Sequence, residues 1–79
     1  MEVMKWSKEE VGEWIERELP EESKEYNLKN LFFSSGISGK ALIELQESDL
    51  KEFNLNLGTR KIIMRAISKL KEGISYQIE

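Results

Sequence analysis

Apolar residues recur along this chain at three- and four-residue intervals, and no stretch alternates long enough to make a strand. Val11, Trp14, Ile15 and Leu19 form the first stripe, and most of Glu9, Glu10, Glu13, Glu16 and Glu18 lie off it, which predicts an amphipathic helix. Ser7 and Glu10 stand at capping-box spacing, with Trp6 and Val11 placed as a hydrophobic staple. Gly12 inside this helix costs about 1 kcal/mol relative to Ala; plain tolerance or close approach of a neighbouring helix accounts for it. Pro20 ends the helix at Leu19, because the residue before proline avoids helical geometry.

A second helix is expected over about Ser23 to Phe33, burying Leu28, Leu31 and Phe32 with Tyr26 at its edge. Ser34-Ser35-Gly36 stops it, and Ile37 is a buried anchor ahead of two short helices. The first of these, about Gly39 to Leu45, is capped by Ser38 and buries Leu42 and Leu45. The next, about Glu47 to Phe53, buries Leu50 and Phe53, and its acids Glu47 and Asp49 sit in the first turn, where the helix dipole favours negative charge. Asn54 follows as a left-handed cap. The last and longest helix runs from about Leu57 to Glu72, with Ile62, Ile63, Ala66, Ile67 and Leu70 on one side and Lys61, Arg65 and Lys69 on the other. Gly73 is its stop signal. The expected organisation is an N-terminal extension over 1–5, one domain over 6–73 and a tail or linker over 74–79.

Composition narrows what such a bundle can do. Seventy-nine residues with 39% apolar content support one small core. The chain holds neither Cys nor His. That removes disulfides, thiolate chemistry, most zinc sites and every Ser-His or Cys-His nucleophile. No metal, cofactor or catalytic residue is expected. Carboxylate pairs such as Glu9/Glu13 and Glu21/Glu22 fall on open surface, where nothing raises a pKa into a useful range. Gly36-Ile37-Ser38-Gly39 lacks the length and the lysine of a phosphate loop. With no membrane span or leader-like start, the expected location is intracellular, cytoplasmic or nuclear, as part of a longer protein.

Charge is small in total but unevenly placed. Residues 1–25 carry nine Glu against four Lys and Arg, whereas residues 56–79 carry five bases against two acids. Opposed patches of this kind favour oriented association.

The ordered set of short pieces resembles the sterile alpha motif (SAM) domain. The resemblance covers Trp6 to about Leu70. It rests on Trp6-Ser7 with Val11 and Trp14-Ile15, then Phe32, Gly36-Ile37-Ser38-Gly39 and Leu42-Ile43-Glu44-Leu45. It continues through Asp49-Leu50-Lys51-Glu52-Phe53 and Leu57-Gly58-Thr59-Arg60-Lys61-Ile62-Ile63. Leu28 replaces a frequent Tyr, Ser38 a frequent Asp, Gln46 a capping Thr or Ser, and Asn54 a common Gly. The loop Leu55-Asn56-Leu57 is one residue shorter than usual.

The resemblance implies an all-α, compact five-helix bundle with a long C-terminal helix. It also implies a non-enzymatic scaffold or oligomerisation module in signalling. Its partner would be another SAM domain, self or foreign, met head to tail. The end-helix surface would be Leu57, Gly58, Thr59, Arg60, Lys61 and Arg65. The mid-loop surface would draw on Glu44, Glu47, Asp49 and Glu52, with Leu45 or Phe53 at its apolar centre. Free N–H groups and bases at the start of the last helix suit a carboxylate patch. Two different complementary patches on one molecule propagate as a filament unless they close. This reading needs Arg60 and Lys61 to be free of acids from their own chain. The plainer alternative is that these charges are solvated helix faces. An RNA-hairpin-binding SAM domain using Arg60, Lys61 and Arg65 is the competing function, opposed by the glutamates of the first helix. Attachment of the Lys61-Arg65-Lys69 stripe to lipid head groups would be weak.

Overall fold

The computed structural model describes residues 2–78 and, beyond Gly73, the backbone alone. After a 3-10 turn at Val3–Lys5 come α1 (Lys8–Glu18), α2 (Pro20–Tyr26), α3 (Leu28–Ser34), α4 (Gly39–Glu44), α5 (Glu47–Lys51) and α6 (Leu57–Ile78). The all-helical bundle and its long closing helix are those the sequence predicts.

The reciprocal capping box at α1 is present: Ser7 Oγ accepts from the Glu10 N–H, and Glu10 Oε1 accepts from the Ser7 N–H at 2.9 Å. Leu19 closes α1, and Pro20 occupies the first turn of α2, where its missing N–H costs nothing. The single second helix of the sequence reading is two helices. Asn27 takes a left-handed conformation (φ 53°) and breaks it. Asn tolerates that region better than most residues, a possibility the helical spacing of Leu28, Leu31 and Phe32 concealed. Ser23 Oγ donates to the Ile15 carbonyl and ties α2 back to α1. A Schellman motif ends α3: Ile37 N–H donates to Phe32 O and Gly36 N–H to Phe33 O, with Gly36 at φ 75°.

Val11, Trp14, Ile15, Leu28, Phe32, Leu42, Leu50, Ile63 and Ile67 form the centre of one core. Each large apolar side chain buried there contributes roughly 1.5–3 kcal/mol. Trp6 and Trp14 lie with ring centroids 6.3 Å apart, and Phe53 packs against Phe32 at 5.6 Å. Residues 3–5 are not a mere extension, since Val3 is buried and the 3-10 turn packs on α4. Gly39 permits that contact: a Cβ there would sit 1.8 Å from the Val3 carbonyl oxygen. Gly39 N–H donates to Trp6 O at 3.0 Å, so backbone meets backbone. Gly12 faces the Lys29 stem where α1 packs on α3, the close approach considered from the sequence. Ser38 holds the N-cap position of α4 without a side-chain hydrogen bond, so the expected cap is geometric only. Met64 is half-buried against the core. Gly73 does not stop α6, which runs on to Ile78; glycine lowers helix stability by about 1 kcal/mol without forbidding helical backbone.

Candidate functional site

The start of α6 is built by a short turn. Asn54 is left-handed (φ 60°), as expected, and Leu55 is buried beneath the turn. Asn56 caps α6: its Oδ1 accepts from the Thr59 N–H at 2.8 Å, and its Nδ2 donates to Tyr26 Oη at 2.7 Å. Asn56 is a cap the sequence reading missed, although Asn just before a helix start is the signal for one. The cap uses one of the N–H groups supposed free for an anion.

The end-helix residues separate into two kinds. Leu57 and Gly58 are exposed, and Lys61 and Arg65 reach solvent. Thr59 is 7% exposed and belongs to the interior, which corrects its place on a partner surface. Arg60 is turned inward as well. Its Nη1 donates to Leu55 O at 2.7 Å, and its side chain is 15% exposed.

Glu47, expected on the other surface, faces this turn because α5 packs on α6. Its Oε1 accepts from Lys61 Nζ at 2.7 Å, and its Oε2 lies 3.5 Å from Arg60 Nε. The Arg60 contact is electrostatic, since that buried Nε has no well-formed hydrogen bond. The Lys61 hydrogen bond, the Lys61 charge and then Arg60 hold the Glu47 carboxyl below the usual carboxylate range. The cations expected to grip a partner are thus engaged by an acid of their own chain. The grip by Arg60 and Lys61 does not stand as the sequence reading framed it.

The other mid-loop residues converge. Leu31, Ile37, Leu45 and Phe53 floor an open groove of about 580 Å³, with Asp49 and Glu52 at its edge. Asp49 Oδ2 accepts from the Gln46 N–H at 2.9 Å and closes the start of α5. This bond ties the Gln46 backbone to the first turn of α5. Glu52 is exposed and makes no ion pair among the described residues. Glu44 is exposed but does not line this groove.

The family model described as SAM domain (sterile alpha motif) matches residues 4–71. The chain belongs to the SAM family. No curated protein matches it. SAM domains are generally protein-interaction modules, typically without catalysis, which gives the exposed apolar and charged surfaces of this one their context. No helix among the described residues of this SAM domain is long and apolar enough to cross a membrane. That Leu45, Asp49, Glu52 and Phe53 would lie near one another was legible, because they fall within nine positions. The bridge from Glu47 to Lys61 was not, since helical spacing says nothing about how α5 docks on α6.

Proposed function

We propose that this SAM domain is an association module whose working face is the groove between α3 and α5, and that its partner is a different SAM domain with an unneutralised basic turn. The convergence of Leu45 and Phe53 beneath the Glu52 carboxylate carries this reading. An apolar floor with a charged rim is the usual anatomy of a small interface. Rim charge then sets orientation and association rate more than affinity.

Self-association in the wild type is disfavoured by the Glu47 bridge. A second copy's groove would have to replace contacts that Lys61 and Arg60 already make within their own chain. Exchanging an ion pair already formed within the chain for one across an interface gains little. A foreign turn without such a bridge has no equivalent loss.

A defined probe is the chain carrying Glu47→Ala, Asp49→Lys and Glu52→Lys, in which the basic turn is released and the acidic rim is reversed. Titrated into isotope-labelled wild type, it should shift amide resonances of Leu45, Glu52 and Phe53. Shifts confined to other surfaces, or none with the folded probe, would refute the reading.

A further inference from the structure

A second open cleft, of about 800 Å³, lies between the end of α1 and the middle of α6. Leu19, Ala66 and Leu70 line its floor, with Trp14 recessed below them. Ile62 stands over it with 41% of its surface exposed, a large apolar side chain without full cover. Lys61, Arg65 and Lys69 run along the α6 wall at four-residue steps, a row of about 12 Å. Lys61 belongs to the Glu47 bridge, but neither Arg65 nor Lys69 makes an ion pair among the described residues. Glu18 is the acid on the opposing wall.

We propose that this cleft receives an acidic amphipathic helix from a partner protein. Residues one helical turn apart on the incoming helix would match the step from Arg65 to Lys69, so two carboxylates at that spacing meet both cations. Its apolar side would cover Ile62, Ala66 and Leu19, in the manner of a helix laid in a groove. The walls are themselves helices, so a third helix meets their ridges at ordinary packing distance. The recessed floor favours this occupant over a bilayer, whose flat surface does not reach Trp14 and Leu70. The apolar floor favours it over a polyanion, which has nothing to place on Ala66 or Ile62.

This surface is separate from the acidic groove, and its test is independent of that reading. The probe is a labelled synthetic peptide with leucines at i, i+3, i+4 and i+7 and glutamates on its opposite face. Anisotropy should show saturable binding, with amide shifts at Ile62, Ala66 and Leu70 and a gain of peptide helicity. Arg65→Glu with Lys69→Glu, both at exposed positions, should weaken binding about tenfold or more without lowering the melting temperature. Glu52→Lys, which alters the other groove, should leave peptide binding unchanged. The proposal is overturned if a scrambled peptide of the same composition binds equally well, or if the peptide does not bind. It is also overturned if the double variant instead abolishes binding to phosphatidylserine vesicles, to an RNA hairpin or to a second copy, with the peptide unaffected.

Discussion

Glu47 on α5 accepts a 2.7 Å hydrogen bond from Lys61 on α6, joining the two surfaces that a head-to-tail contact would keep apart. One carboxylate thereby neutralises much of the turn where α6 begins and leaves Glu52 as the unengaged acid of the mid-loop groove.

This bridge makes a pH prediction. The folded-state pKa of Glu47 is lowered, by the Lys61 hydrogen bond first and then by the charges of Lys61 and Arg60. Its stabilising contribution is therefore present above the unfolded-state pKa and is lost as pH falls through the folded value. Urea midpoints of wild type and Glu47→Gln should differ at neutral pH and converge at strongly acid pH. The neutral-pH difference should also shrink in high salt. A gap that persists at acid pH would mean that Glu47 acts through packing instead.

The glycines at the starts of α4 and α6 should behave oppositely. Gly39→Ala forces a methyl against the Val3 carbonyl and Trp6, so it should lose roughly 1–3 kcal/mol or more in urea unfolding. At Gly58 a Cβ meets nothing closer than 3.6 Å. Gly58→Ala should be neutral or stabilising by up to about 1 kcal/mol. Equal losses at the two sites would show that the Val3 contact is misassigned.

Asn56 both caps α6 and donates to Tyr26. Asn56→Ala should cost about 1 kcal/mol, the usual cost of a lost N-cap. Asn56→Asp keeps the acceptor for Thr59 N–H but loses the donor to Tyr26, so its unfolding midpoint should fall between wild type and Ala. A midpoint at or below that of Asn56→Ala would remove the cap from the account.

Much of the fold was legible because each signal acts locally. Ser7 with Glu10, the Leu19-Pro20 step, the Asn54 cap and the stripe through Ile63, Ile67 and Leu70 all decide structure within a few residues. The break at Asn27 was hidden by apolar spacing that a continuous helix would fit equally well. The end of α6 was misplaced because Gly73 weakens a helix without ending it. The site was half legible for the same reason. Residue types identified the acidic groove, but the burial of Thr59, the inward turn of Arg60 and the Glu47 bridge arise only when α5 packs on α6. The cleft under Ile62 likewise needs α1 beside α6, and no spacing within either helix discloses it.

Light scattering, with mass followed against concentration for wild type, Glu47→Ala and Glu47→Ala with Glu52→Lys, decides whether the Glu47 bridge holds back self-association. Wild type should be monomeric, mass should climb with concentration once Glu47 is removed, and the monomer should return when Glu52 is reversed as well. A wild type that already self-associates, or a Glu47→Ala variant that stays monomeric throughout, would contradict that role.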